Sequence, residues 1–252
     1  MFFNSSNINI YYEKYGTKEN TILILPGWGN TRATFYNIIN YFKDDYTIYI
    51  IDYPGFGNSP IPSVPLTIYD YTNLIIDFMN EKNIVNPIII AHSFGGRLTT
   101  LLTGYYKEKI SKLILIDIAS IKPKKNIYQK IKEKTYKLLK KGISILPLLK
   151  REAYHQKLIK IFGSKDYQNL NPTMQQTFKN IVNEDLKYYL QYIESETLIL
   201  WGKKDQDTPL KDAIKINNLV KNSALIVFPN ATHYSYLQYP GLTNKIIHEF
   251  IK

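Results

Sequence analysis

The 252-residue chain contains no cysteine. That absence removes disulfides, thiolate metal sites and a cysteine nucleophile from consideration. Long apolar runs are missing as well: none approaches the roughly 18 residues that a membrane-crossing helix needs. No basic stretch followed by an apolar one opens the chain, since Met1-Phe2-Phe3 runs straight into Asn4-Ser5-Ser6-Asn7. The expectation is a soluble cytoplasmic protein without an integral membrane segment. None of the glycine-bearing turns continues into Gly-Lys-Ser or Gly-Lys-Thr, so there is no phosphate loop. No group of His, Asp and Glu has metal-ligand spacing, and neither a metal nor a cofactor is expected. Internal repeats, low-complexity linkers and a second sheet are also absent from the pattern.

What is present suffices for one sizeable core: 44% of the residues are hydrophobic, ordinary for a globular chain. The formal net charge is +11, and its distribution matters more than its size. Residues 121–160 carry 13 Lys or Arg against only Glu133 and Glu152, so this window alone accounts for the whole excess. A protein that binds nucleic acid along its length would spread its basic residues more widely, and no nucleic-acid partner is expected.

The order of elements centres on Pro87 to Thr100. The β-branched run Ile88-Ile89-Ile90 breaks at Ala91-His92-Ser93-Phe94-Gly95 and a helix-compatible stretch follows. This is the strand, tight turn and helix of a nucleophile elbow with Ser93 at its tip. A serine hydroxyl is a weak nucleophile and has to project clear of the backbone toward a base. The turn crowds the positions two before and two after the serine, where Ala91 and Gly95 are small enough to fit. Around the elbow, short apolar strands (Thr21–Leu25, Tyr46–Ile51, Lys112–Ile116, Thr197–Gly202, Ala224–Phe228) alternate with helical stretches, one opened by a capping box at Thr67–Asp70. An earlier half-buried strand is expected over Ile8, Ile10 and Tyr12. From about Ser120 to Glu196 the rhythm gives way to lysine-rich helical stretches interrupted by Pro123, Pro147 and Pro172. The pattern implies a mostly parallel α/β sheet covered on both faces, with a helical insertion over its C-terminal edge.

With Pro26-Gly27-Trp28-Gly29 after one strand, Asp52-Tyr53-Pro54-Gly55-Phe56-Gly57-Asn58-Ser59 after the next, Gly202-Lys203-Lys204-Asp205 after a late one and His233 near the end, the chain resembles the α/β-hydrolase superfamily over nearly its whole length. The look is that of small lidded carboxylesterases, the pimeloyl-carrier-protein methyl ester esterases among them, although Pro26 stands where His is more common. The resemblance implies a core of residues 1–119 and 197–252 with a helical lid at 120–196. It also implies the catalytic order Ser93, Asp205, His233. In such an enzyme Ser93 attacks an acyl carbonyl, His233 carries the proton, and Asp205 orients His233. The backbone N–H of Phe94 and, by the resemblance, that of Trp28 would form the oxyanion hole. The activity implied is cleavage of a small-molecule or acyl ester, without a cofactor. Acyl transfer, peptide cleavage and C–C hydrolysis use the same triad, and a non-catalytic binding protein on the same fold is the reading from another class. The substrate-binding residues cannot be named from the motifs.

Each assignment has rivals in the sequence. Asp117, at the end of an earlier strand, is the alternative acid, and Asp207 reads as a turn or capping group. Of the other histidines, His92 is expected to point away from the Ser93 side chain, while His155 and His248 are expected to be solvated. Within the basic window, Ile127, Ile131, Leu138 and Leu139 share one helical face and Lys130, Lys132, Lys134, Lys137, Lys140 and Lys141 crowd the rest. The plain expectation is a lid helix that buries this stripe and solvates its lysines. The functional one is a lid that attracts an anionic substrate, an acyl carrier protein or an anionic membrane surface.

Overall fold

Eight strands form one sheet in the order β1-β2-β4-β3-β5-β6-β7-β8. The computed structural model describes residues 1–122, 127–143 and 148–252; Pro123, Pro147 and the side chain of Lys130 lie outside what it describes. β1 (Phe2–Ser5) and β2 (Ile8–Tyr15) form a hairpin, and β2 lies antiparallel to β4 (Thr47–Asp52). The first strand is not evident in the sequence pattern. Its turn is made by Ser6 and Asn7, both at positive φ, as a tight two-residue hairpin turn requires. The remaining pairs, through β3 (Thr21–Leu25), β5 (Ile88–His92), β6 (Lys112–Ile116), β7 (Glu196–Gly202) and β8 (Ser223–Phe228), are all parallel.

The continuous apolar runs are explained by burial on both faces. Leu23, Leu25, Ile89, Leu113, Leu115 and Ile199 belong to one core layer. Their neighbours Ile22, Ile24, Ile88, Ile114, Ile116 and Leu198 belong to the other. Successive side chains of a strand point to opposite faces, so each strand feeds both layers. The first layer is closed by α2 (Ile68–Glu81), α3 (Phe94–Gly104) and α8 (Leu210–Leu219). The second is closed by α1 (Tyr36–Phe42) and the last helix, Pro240–Ile251. A 3₁₀ turn, Arg32–Phe35, leads into α1, so the helix starts later than its apolar spacing suggests. The capping box of α2 forms as expected: Thr67 accepts from the Asp70 N–H, and the Asp70 side chain accepts from the Thr67 N–H.

Between β6 and β7 the described residues contain no strand. They form α4 (Ile127–Ile143), α5 (Leu148–Phe162), the short α6 (Lys165–Gln168) and α7 (Pro172–Asn183). One expectation fails here. Ile127, Ile131, Leu138 and Leu139 of α4 are not buried; they are 65%, 57%, 72% and 43% exposed. The helix instead packs against α5 through its other side. The Tyr136 ring is tilted against that of Phe162, with centroids 6.0 Å apart, and its hydroxyl lies 3.3 Å from His155 Nε2. That contact leaves His155 half-buried rather than solvated. His248 is half-buried too, with its ring stacked at 6.4 Å from that of Phe42.

The chain leaves β3 for β4 on one side and later returns to place β5 on the other, which opens a crevice at the C-terminal ends of β3 and β5. The two ends meet closely. A Cβ on Gly95 would lie 2.0 Å from the Leu25 carbonyl oxygen, so only glycine lets the elbow dock on β3. Thr67→Ala should lower the unfolding free energy by about 1 kcal/mol through loss of the cap. Gly95→Ala should cost several times as much, because the clash is with backbone. Urea unfolding of the two variants checks the order, and equal costs would show that the elbow does not need this approach.

Candidate active site

Ser93 sits between β5 and α3 with φ 47° and ψ −106°, a conformation that is unfavourable for a residue with a Cβ. Hydrogen bonds hold it there. Its N–H donates to Ile116 O at 3.1 Å, and its carbonyl accepts from the N–H groups of Gly96 and Ala119. The side chain therefore projects from the turn rather than into the sheet. Its Oγ donates to His233 Nε2 at 2.9 Å, and His233 Nδ1 donates to Asp205 Oδ2 at 2.8 Å. Three residues far apart in the sequence thus form one hydrogen-bonded line.

Each member is fixed from behind. Asp205 lies in the turn after β7, where the N–H groups of Asp207 and Thr208 donate to Oδ1 at 2.8 and 2.9 Å. Thr208 Oγ1 donates to Oδ2 at 2.6 Å and lies 3.2 Å from His233 Nδ1. Burial pushes the Asp205 carboxyl up, but the bond to His233, its charge and the Thr208 bonds outweigh this and leave it below the ordinary range. For His233 the order is similar: burial lowers its pKa, and the bond and charge of Asp205 raise it to a net value above the ordinary 6.5. A raised imidazole beside an ionised carboxylate is suited to receiving a proton.

Asp117 takes a different place. It does not reach the ring of His233. Its Oδ1 accepts from the Gly202 N–H at 2.8 Å, and its Oδ2 accepts from Ser235 Oγ at 2.7 Å and the Ser235 N–H at 3.2 Å. It joins the end of β7 to the loop that carries His233. Burial pushes its carboxyl up to about 7 against the lowering effect of those donors. His92 is buried, and its Nε2 donates to the His233 carbonyl at 2.8 Å. Burial, then the neighbouring His233, lowers it to about 3, so it is a neutral strut behind the base. The supporting parts of Asp117, His92 and Thr208 are invisible in sequence, because no spacing rule links them to the residues they hold.

Phe94 is the first residue of α3, so its N–H has no acceptor within the helix. Trp28 follows β3 on the opposite lip, with its ring 5.4 Å from that of Phe94. Ser93, Phe94, Trp28 and His233 line a cavity of about 410 Å³ whose outer wall includes Ser164, Phe178 and Val182 from the β6–β7 segment. Arg97, one turn after Ser93, pins that segment. It donates to Ala119 O at 2.7 Å, to Ile181 O at 2.8 Å and to Glu184 O at 2.7 Å. The sequence reading missed Arg97 as well. Among the described residues, Asp205, Asp207 and His233 come closest to a cation site, with ligand atoms within 4.8 Å of one another. Asp205 Oδ2 and His233 Nδ1 of this group bond each other. No helix among the described residues is long and apolar enough to cross a membrane.

Residues 20–130 match the family model described as the alpha/beta hydrolase fold. A pimeloyl-[acyl-carrier protein] methyl ester esterase of Wigglesworthia glossinidia brevipalpis is 26% identical, over 96% of this chain and 97% of its own length. A 2-hydroxy-6-oxononadienedioate/2-hydroxy-6-oxononatrienedioate hydrolase of Pseudomonas putida is 22% identical, over 97% of this chain and 92% of its own. Among solved structures, an esterase from Exiguobacterium antarcticum superposes with a TM-score of 0.76 at 22% identity, covering 99% of this chain and 98% of that one. On sequence and architecture together, the chain has the α/β-hydrolase fold and is similar to enzymes named as esterases and hydrolases.

Proposed function

We propose that the protein is a serine hydrolase of small-molecule or acyl esters, working through Ser93, His233 and Asp205. The observation that carries this reading is the unbroken line from Ser93 Oγ through His233 to Asp205, with both bonds under 3 Å. As Ser93 Oγ attacks the ester carbonyl carbon, its proton passes to His233 Nε2, and Asp205 stabilises the imidazolium. The oxygen that becomes negative is received by the N–H groups of Phe94 and Trp28. His233 then gives its proton to the leaving alcohol, and water reverses the sequence on the acyl-enzyme. Asp117 and His92 are read as positioning residues for the loop of His233.

In this reading the β6–β7 segment, residues 120–196, is the lid, and the core is residues 1–119 and 197–252. The apolar side chains that the lid contributes to the cavity favour an acyl chain over a polar substrate. The charge of the lid by itself suits a carboxylated substrate or an acidic acyl carrier protein, the latter in line with the name of the Wigglesworthia relative. The Pseudomonas relative supports a second reading, C–C hydrolysis at the same triad. Comparing turnover of a simple ester with that of a 2-hydroxy-6-oxononadienedioate, the compound in that relative's name, separates the two. The proposal keeps the cytoplasm as its setting, where a chain without cysteine needs no oxidising compartment.

A fluorophosphonate probe should label the folded protein at Ser93 alone. Ser93→Ala should abolish labelling and reduce ester turnover by about 10³-fold or more. Labelling that survives in this variant would remove Ser93 from its role. Asp205→Asn should lose on the order of 10²–10⁴ in kcat with the fold intact. Asp117→Asn should act mainly on stability; collapse of activity there, with near-normal Asp205→Asn, would move the acid to Asp117.

The pH profile tests the same pair. Protonated His233 cannot accept the Ser93 proton, so kcat/KM should fall as pH drops through the His233 pKa. Because that pKa is raised, the acid limb should lie above pH 6.5 in the wild type. In Asp205→Asn the residual activity should keep its limb at lower pH. A limb that does not move would show that Asp205 is not what raises His233.

A further inference from the structure

The exposed face of α4 carries an observation that charge alone does not explain. Ile127, Tyr128, Ile131, Leu138 and Leu139 are all exposed, Tyr128 to 80%. At 3.6 residues per turn they fall within one arc of about 120°. Exposed lysines border the arc, Lys134 on one side and Lys132 on the other, with Lys137 and Lys140 further round. Lys137 also pairs with Glu133 at 3.0 Å. An apolar strip with cations along its margins is the pattern of a helix lying in the plane of a bilayer interface. The strip enters the acyl boundary there and the lysines reach anionic headgroups.

We infer that α4 docks the protein on an anionic phospholipid surface, through its outward Ile/Leu/Tyr strip and the flanking lysines. A second copy of the chain would set one +11 segment against another, which the like charges oppose. An acidic protein would answer the lysines but not a convex apolar strip on the same helix. A phospholipid surface offers both chemistries in one plane. The inner face of α4 adds continuity with the site. Lys132, Glu133 and Tyr136 line a second cavity of about 490 Å³, otherwise walled mainly by apolar side chains such as Ile159 and Phe162. Ser164, Phe178 and Val182 line both this cavity and the one around Ser93. A chain leaving the bilayer beside α4 would thus meet apolar walls on its way to the serine. That use of the corridor rests on the proposed ester hydrolysis, whereas docking does not.

The test is flotation of the full-length protein with vesicles of phosphatidylcholine alone and of phosphatidylcholine mixed with phosphatidylglycerol. The Ser93→Ala protein is run in parallel, so that binding is read without turnover. Both proteins should float with the anionic vesicles only, and high salt should weaken the association because headgroup attraction is screened. Lys134→Gln combined with Lys140→Gln should lower the partition coefficient by roughly tenfold or more. Ile131→Ser combined with Leu138→Ser should lower it by about tenfold. Both double variants should keep wild-type circular dichroism and wild-type turnover of a soluble short-chain ester. No flotation, equal flotation with neutral vesicles, or binding untouched by either double variant would overturn the inference. So would capture of α4 by an acidic carrier protein without any vesicle binding. If Ser93→Ala floats normally while the wild type hydrolyses no ester, docking stands and the proposed chemistry falls.

Discussion

The site depends on one strained residue. Ser93 holds a left-handed backbone conformation that costs a residue with a Cβ about 1–3 kcal/mol. The cost is offset by what the conformation gathers together. Its N–H ties it to β6, and its carbonyl collects the N–H groups of α3 and of the strand's exit. Gly95 lets the turn press on the last carbonyl of β3. The ends of β3, β5 and β6 are thereby fixed relative to one serine hydroxyl, and Trp28 and Phe94 face each other across it. Relaxing the φ angle would return the hydroxyl toward the sheet and separate all of these.

Two buried carboxylates then divide the remaining work. Asp205 spends its oxygens on His233 and on the turn that carries it, so its charge is available to the base. Asp117 spends its oxygens on Gly202 and Ser235. Asp117, like Ser93, sits at φ 47°, which marks the end of β6 as a second point of stored backbone strain. The loops of Asp205 and His233 are drawn together between them. A Cβ on Gly202 would lie 2.2 Å from Thr232 O, so these loops approach as closely as the elbow and β3 do. Electrostatics separates the two carboxyls in the same direction. The one facing imidazole is held below its ordinary range, while the one facing only neutral donors is pushed up by burial.

The parts of the molecule that are legible in sequence are those that obey a local rule. The parallel strands are legible because burial on both faces leaves unbroken Ile and Leu runs, and α2 because Thr67 and Asp70 satisfy the same turn reciprocally. The hydrogen-bonded grouping of Ser93, Asp205 and His233, taken as a triad in the proposed function, could be named in sequence because each follows a strand. β1 was not legible, since Phe2–Ser5 is short and gains its strand character from pairing with β2. The supporting contacts of Asp117, His92 and Arg97 were not, because their partners lie from 22 to 141 positions away, and that of Thr208 with His233 spans 25 positions. For α4 the periodicity was read correctly but its direction was not. A helical stripe specifies that one face is apolar; which face meets the protein is decided by neighbours such as Phe162 and His155.

Arg97 shows how the chemical core and the basic segment are coupled despite their different characters. The rest of the chain is close to neutral and carries Ser93, Asp205 and His233 at strand ends, whereas the segment between β6 and β7 is strongly basic and supplies the outer wall of the cavity. Arg97 belongs to α3, the helix that follows Ser93, yet all its bonds are to carbonyls of that segment. Two of them, Ile181 and Glu184, lie at the C-terminal end of α7, where the helix dipole presents partial negative charge to a buried cation. Burial lowers the Arg97 pKa to about 10, still far above neutrality, so the guanidinium keeps its charge and its three carbonyl partners. The outer wall of the cavity is therefore tied to the same helix that follows Ser93. A shift of α7 against α3 has to break charge-assisted bonds buried within about a turn of Ser93.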